Sequence, residues 1–304
     1  RAVFAGLRQG RTTRLGFNAR ASHVVVDVES CPLLAPPLAA LLPPLRDLLG
    51  ALLPDGAAVD ATAILTEGGI DLLVVAPLDL DLAAREALAT FAESADLARL
   101  HGRHPRRGGA EPIARRRAPV LRFGEVAVEP PPGAFLQPTQ CGEQAITRRV
   151  LAALEGADGP VADLYAGCGT FALPLSAVRP VHAVEGESAP LAVLGAAARA
   201  AGRPVTTEVR DLARRPLMAH ELARFAGLVV DPPRAGALAQ AEMLAALGPD
   251  GPGPRHLAMV SCNPATLARD LRRLLDGGWA IERIMPIDQF PWSSHLEVVV
   301  ALRR

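Results

Sequence analysis

The stretch that decides the fold is Asp163-Leu164-Tyr165-Ala166-Gly167-Cys168-Gly169-Thr170-Phe171. The short apolar run Val161-Ala162-Asp163-Leu164 reads as a strand, and it passes directly into a loop with two glycines. Gly167 and Gly169 let the chain turn tightly and bring its backbone close to a ligand. The next strand, His182-Ala183-Val184-Glu185, ends on an acid that can accept hydrogen bonds from both hydroxyls of a ribose. Asp211 follows a third strand, Val205 to Val209, and is placed to reach an adenine amine. A glycine loop with a second-strand acid describes nucleotide binding. By itself it does not separate a methyl donor from a dinucleotide.

Outward from this loop, strands and helices alternate to the C-terminus. Thr139 to Leu154 reads as a helix; further strands are expected at Leu228 to Asp231, His256 to Ser261, Ile281 to Asp288 and Leu296 to Leu302. Seven strands, the last two close enough to pair antiparallel, match the class I methyltransferase version of the doubly wound α/β sheet. Such sheets bind ligands at the carboxyl ends of their strands. Upstream the texture is mixed. A strand over Val24 to Val28, a Leu/Pro/Ala-rich helical stretch ending near Leu53, strands at Ala58 to Thr66 and Ile70 to Val75, and a helix from Leu82 to Leu97 suggest a smaller α/β domain with an antiparallel sheet. The Arg/Pro/Gly-rich segment Gly102 to Pro119 reads as a linker, and Val120 to Val128 as a short hairpin. The expected division is a first domain with its basic linker over residues 1–132 and a catalytic domain over residues 133–304.

The composition bounds the partners. The 304 residues carry 32 basic and 32 acidic side chains, for no net charge, and every permanent cation is arginine. Any nucleic-acid footprint must therefore be local. Two clusters qualify, Arg103/His104/Arg106/Arg107 and Arg115/Arg116/Arg117; spacing alone leaves them equally readable as solvated loops. No run of eighteen apolar residues suggests a membrane span. The four cysteines, Cys31, Cys141, Cys168 and Cys262, form no C-x-x-C pair, which argues against a disulfide framework and for a reducing, cytoplasmic setting. The first residue is Arg1, and a longer native chain is expected.

Two later strand ends carry the chemistry. The fourth strand runs into Val230-Asp231-Pro232-Pro233-Arg234-Ala235-Gly236, which holds Asp231 on a proline-fixed turn. The fifth runs into Val260-Ser261-Cys262-Asn263-Pro264-Ala265-Thr266, which puts Cys262 near the N-terminus of the next helix, where the dipole is expected to favour thiolate. A cysteine and a base in one cleft suit methylation at carbon 5 of uracil. That carbon is a weak nucleophile. A thiolate adding at carbon 6 makes it an enolate carbon that can take a methyl, and a base must then remove the carbon 5 proton. Glu297 on the last strand is the first candidate for that base and His295 the second.

Together these segments resemble the RNA 5-methyluridine methyltransferases that act on 23S rRNA or tRNA. Gly133-Ala134-Phe135-Leu136-Gln137-Pro138-Thr139 is similar to the family's Phe-x-Gln-x-Asn segment; Asp163 to Thr170, Asp231 to Gly236, Ser261 to Leu271 and Asp288 to Glu297 follow in the family's order. The resemblance spans the chain from about Gly124 onward. It implies S-adenosylmethionine as cofactor, contacted by Gln137, Tyr165, Thr170, Glu185 and Asp211. It places Asp231 against cofactor or target base, and makes Cys262 the nucleophile and Glu297 the base. Threonine stands at 139 and 170, where the family often has asparagine. Gly16-Phe17, Ser22 to Asp27 and Cys31-Pro32-Leu33-Leu34 resemble the family's central domain. In the rRNA-type branch that cysteine is the fourth ligand of a [4Fe-4S] cluster whose other ligands lie upstream. Cys31 alone cannot hold one, so a cluster is expected only in a longer chain. The implied enzyme is a monomer acting on RNA, 23S rRNA ahead of tRNA. The rivals are a class I methyltransferase with a non-RNA substrate, a catalytically idle RNA-binding module, and, more distantly, a nicotinamide dehydrogenase.

Overall fold

The computed structural model describes residues 1–20, 22–291 and 295–304, and it divides into two compact units: residues 1–121 with 129–134, and residues 122–128 with 135–304. Each has its own apolar core.

In the first unit the elements are β1 (Ala2–Gln9), β2 (Thr12–Asn18), β3 (Val25–Asp27), α1 (Pro36–Ala40), α2 (Leu42–Leu52), β4 (Ala58–Thr66), β5 (Gly69–Val75), α3 (Leu82–Ser94), β6 (Arg99–His104) and β7 (Arg107–Arg115). Among the described residues the strands form one sheet in the order β3-β2-β1-β4-β5-β6-β7. All neighbours are antiparallel except β5 and β6, whose crossover is α3. Leu42, Leu45 and Leu49 repeat at helical spacing and bury one face of α2 in this core. Asp81 caps α3 by accepting from the Ala84 N–H at 2.9 Å.

Two features here differ from the sequence reading. The hairpin β1–β2 carries no clean apolar alternation and was not anticipated. The segment 102–119 is no linker: most of it is the edge hairpin β6–β7. Strand β7 has no fully buried residue, and its glycines, its proline and its arginine ends are features by which edge strands resist further pairing. Beneath it Arg99, 5 % exposed, makes a bidentate pair with Asp71 at 2.8 and 2.7 Å and donates to the Pro130 carbonyl at 2.7 Å. That pair ties the returning segment 129–134 to this unit.

The second unit opens with the ribbon β8 (Leu121–Phe123) and β9 (Val126–Val128). It continues with α4 (Gln140–Ala153), β10 (Val161–Leu164), α5 (Ala172–Leu175), β11 (Val181–Glu185), α6 (Ser188–Ala200), β12 (Val205–Val209), α7 (Ala219–Leu222), β13 (Gly227–Val230), α8 (Leu238–Ala245), β14 (His256–Ser261), α9 (Pro264–Asp276), β15 (Ala280–Ile287) and β16 (Glu297–Arg303). The sheet order is β12-β11-β10-β13-β14-β16-β15, parallel except for β16, which runs antiparallel to both β14 and β15. This is the class I methyltransferase sheet. β10 and β13 are buried along their whole length, as strands covered on both faces must be. The reversal between β10 and β13 opens the crevice at which doubly wound sheets bind ligands.

Candidate active site

The loop after β10 is held in an unusual backbone. Tyr165 sits at φ +66°, Gly167 at +52° and Gly169 at +98°. The two glycines do different work. A Cβ on Gly169 would lie 2.4 Å from a Leu194 methyl, so that glycine allows the loop to pack against α6. A Cβ on Gly167 would meet open space, so that glycine faces the ligand side. The Gly167 N–H donates to Glu185 Oε2 at 2.9 Å, and the Glu187 N–H donates to Glu185 Oε1 at 3.0 Å. Glu185 is thereby fixed at the end of β11 with lone pairs to spare. Asp211 is held after β12 by the Ala213 N–H at 3.1 Å. Thr170 lies half-buried at the end of the same loop as Tyr165. The Tyr165 hydroxyl is pushed up to about 12 by burial and by the carboxylates of Asp270, Asp211 and Glu185. Cys168 is 2 % exposed, and burial with Glu185 and Glu187 pushes its thiol up to about 12.

Inside β10, Asp163 is fully buried, and among the described residues neither side-chain oxygen has a hydrogen bond of good geometry, the Ala172 N–H being the one donor that acts on it. Burial and the neighbouring Asp231 hold its carboxyl well above the ordinary range. Sequence reading assigned it no role. A buried carboxyl, an open glycine and acids at successive strand ends fit a cationic nucleoside ligand such as S-adenosylmethionine, whose sulfonium and ammonium groups are positive.

Gln137 lies before α4. Its side-chain oxygen accepts from Gln289 Nε2 at 2.9 Å, and the Thr139 hydroxyl lies 3.3 Å from Gln289 Oε1. Thr139 is also the N-cap of α4, accepting from the Gly142 N–H at 3.0 Å. Asparagine and threonine both cap well, which accounts for threonine here. Gln289 is buried, and no sequence signal marked it, because the bond it makes joins residues 152 positions apart.

The remaining strand ends bring the reactive groups together. In the β14–β16 ladder Ser261 faces Val298. Cys262 and Glu297 are the next residues along these two strands, and the Glu297 charge acts on the Cys262 thiol. The Glu297 carboxyl is raised by burial and lowered by Arg234. Asp231 follows β13, and burial together with the Glu297 charge pushes it up to about 7. Half-buried Cys262 is raised by burial and Glu297, while Arg234 acts the other way. The expected helix-favoured thiolate is therefore not what the free site holds. At the start of α9, Pro264 has no N–H and the Ala265 N–H is already given to Asn263 Oδ1 at 3.1 Å, so the helix end presents little to the thiol. Arg234, which the sequence reading left without a role, is the cation that acts on both Cys262 and Glu297. Its Nη2 lies 3.4 Å from His295 Nδ1, and Phe290 packs edge-on against the same imidazole at 5.9 Å between ring centres. Trp292, Ser293 and Ser294 of the 288–297 motif lie outside the described residues.

Cys31 lies half-buried in the first unit, and Cys141 is exposed on α4. Among the described residues no three His, Cys, Asp or Glu side chains are grouped to hold a metal ion, so these residues do not fit a [4Fe-4S] cluster and no chemistry is assigned to one. Among the described residues no helix is long and apolar enough to cross a membrane. The two arginine clusters part company. Arg115 pairs with Glu129, and Arg116 and Arg117 with Asp96, whose carboxyl they pull down to about 2. Arg103, His104, Arg106 and Arg107 instead line a concave pocket of about 490 Å³ at the turn of β6–β7.

Comparison with known proteins agrees with this geometry. Residues 203–304 match the family model of tRNA (uracil-5-)-methyltransferases. An uncharacterized RNA methyltransferase of Brucella suis is 42% identical over 306 residues, covering 100% of this chain and 71% of the relative. The 23S rRNA (uracil(1939)-C(5))-methyltransferase RlmD of Aeromonas hydrophila is 33% identical over 311 residues, covering 98% of this chain and 67% of the relative. The crystal structure of Pyrococcus abyssi tRNA (uracil-54, C5)-methyltransferase with S-adenosyl-L-homocysteine superposes with a TM-score of 0.76 at 20% identity, over 99% of this chain and 75% of that one, and shows the shared fold. With Glu185 and Asp211 on one side of the sheet's carboxyl edge and a cysteine, a glutamate and an arginine on the other, the chain belongs to the S-adenosylmethionine-dependent RNA uracil-C5 methyltransferases.

Proposed function

We propose that this enzyme methylates carbon 5 of a uridine in 23S rRNA through a covalent bond between Cys262 and carbon 6. The observation that carries the reading is that Cys262, just past the end of β14, and Glu297, at the start of the antiparallel neighbour β16, are close enough for the glutamate charge to act on the thiol. The rRNA substrate is favoured by likeness to RlmD and by the Cys31 segment.

Bound S-adenosylmethionine would supply an electrophilic methyl group, held by Glu185 and Asp211 on its nucleoside side. Gln137, Tyr165 and Thr170 line the same side. Cys262 gives up its proton and its sulfur adds to carbon 6; Arg234 favours both the thiolate and the negative charge that the ring gains. Carbon 5 takes the methyl. Glu297 then removes the carbon 5 proton, the C6–S bond breaks, and the thiolate regains its proton. The net products are a methylated uridine, the demethylated cofactor and one proton. Asp231, with its carboxyl near 7, can hold a proton toward cofactor or base in the same cleft. The target base must leave its stack, at roughly a few kcal/mol, least in a loop. At the β6–β7 turn Arg107 is paired with Asp79, and the guanidinium groups of Arg103 and Arg106 beside it suit RNA phosphates. A [4Fe-4S] cluster is proposed only for a chain with further cysteines beside Cys31.

The test uses methyl-labelled cofactor with unmodified 23S rRNA and tRNA, read on a denaturing gel. Labelling of 23S rRNA but not tRNA is expected; the reverse overturns the substrate. Glu297→Gln should accumulate a labelled protein–RNA adduct that does not resolve. Normal turnover by Glu297→Gln rejects Glu297 as the base and promotes His295. Because the Glu297 carboxyl lies above its ordinary range, turnover should fall on acidification earlier than an exposed glutamate would allow.

A further inference from the structure

The loop that carries Arg234 is bound along its length by α9. The Arg234 carbonyl accepts from Asn263 Nδ2 at 3.0 Å and from the Thr266 hydroxyl at 3.2 Å. The Ala235 carbonyl accepts from Arg269 Nη2 at 2.9 Å. The Ala237 N–H donates to Asp270 Oδ2 at 2.7 Å. Asp270 in turn holds Arg269 through Oδ1 at 2.8 Å, and only 1 % of Asp270 is exposed. Between these anchors Gly236 takes φ +80°, and a Cβ there would lie 2.6 Å from both Arg269 Nη2 and Asp270 Oδ2, so the contact is as close as backbone allows. The helix that makes these four contacts begins two residues after Cys262.

We propose that the first two turns of α9, through Asn263, Thr266, Arg269 and Asp270, are a clamp that sets Arg234 in register with Cys262 and Glu297. None of the clamp residues need touch RNA or cofactor; Thr266, Arg269 and Asp270 are positioning residues acting through Arg234. The physical case is one of supply. The Ala237 N–H is buried, and left without Asp270 it would cost about 1–3 kcal/mol; the three contacts nearer Arg234 are exposed and hold the loop by their number rather than by burial. Cys262 and Arg234 are then mounted on the same rigid helix, and thermal motion moves them together. The charged groups that face Cys262 are Glu297 on β16 and Asp231 and Arg234 after β13, with His295 bonded to Arg234. Of these Arg234 alone is a permanent cation, so loosening it leaves the thiol beside two acids.

The experiment reads the thiol directly and needs neither substrate nor cofactor. It therefore fails or succeeds independently of the RNA reading, although the role given to Arg234 rests on that reading. Alkylation of Cys262 in the purified 304-residue chain is followed against pH by mass spectrometry of its own peptide. Asp270→Asn and the milder Thr266→Val should move the alkylation midpoint upward by about half a pH unit, or about threefold slower alkylation at a fixed pH below it. Arg234→Met should move it at least as far. Combining Arg234→Met with either clamp change should add nothing, because the clamp works through that residue. In methyl transfer, turnover should fall roughly tenfold or more while the cofactor KM holds. A clamp variant that loses melting temperature with an unmoved midpoint shows a merely structural role and overturns the proposal. So does additivity with Arg234→Met, or an Arg234→Met midpoint equal to that of the parent.

Discussion

The carboxyl edge of one sheet carries two kinds of acid. After β11 and β12, Glu185 and Asp211 accept backbone N–H bonds that hold them in place. After β13 and at the start of β16, Asp231 and Glu297 are dominated by burial, and both are raised. Backbone N–H donors fix the orientation of an acceptor; burial favours the protonated form of a carboxyl and makes it ready to exchange a proton. The same residue types thus suit the two halves of the proposed function, recognition on one side and acid–base chemistry on the other. The two cysteines on this edge repeat the contrast: Cys168 is buried and its thiol pushed up to about 12, whereas Cys262 is half-buried beside a cation.

The sharpest break of that comparison is Cys262→Ala. It should abolish both methyl transfer and the covalent RNA species, and residual methylation at the parent rate would move the nucleophile elsewhere. On the recognition side, Glu185→Gln keeps the shape and replaces one acceptor by a donor. It should weaken cofactor binding about tenfold, of the order of 1–2 kcal/mol, without blocking alkylation of Cys262; calorimetry with the demethylated cofactor reads it.

Asp231 gives a prediction with a sign. Its folded carboxyl is raised from 3.8 to about 7, so its protonated form stabilises the fold. That contribution is whole below about pH 4 and is lost as pH rises through about 7. Asp231→Asn, locked in the uncharged form, should gain melting temperature relative to the parent between pH 5 and pH 8, by an amount of the order of 1 kcal/mol. A gap that is flat over this range would show that the carboxyl is not raised. The smallest effect is expected from Cys168→Ala: cofactor affinity within about twofold, since the loop uses backbone there, and an unchanged adduct. Loss of the adduct would place Cys168 in the chemistry.

Most of the second unit could be read from the chain because parallel strands buried on both faces are written as short unbroken apolar runs. β10, β13 and β14 stand where those runs stand. The first unit was harder. β1 and β2 carry no clean apolar alternation, and β7, rich in glycine and arginine, has none to find. An edge strand is a strand because its neighbour supplies the ladder, and that neighbour, β6, is known only once the sheet is assembled. Arginine clusters show the same limit. Arg103/Arg106 and Arg115/Arg117 look alike in the chain, yet one set lines an open pocket and the other is taken up by Glu129 and Asp96.

What the chain determined by itself is local: the glycine loop after Asp163, the acid that ends β11, the prolines that fix the turns after Asp231 and around Cys262, and the apolar runs that place the strands. Each is a property of neighbouring residues, so sequence spacing suffices. What tertiary structure decided is long-range. It decided that Cys262 lies beside Glu297 and that Gln289 grips Gln137. It decided that the Asp163 carboxyl is fully buried, that the Arg234 loop is pinned by α9, and that the Cys262 thiol is raised rather than lowered. Proton affinity and register depend on which groups share a small dry volume, and that is fixed only when strands distant in the chain have paired and excluded water.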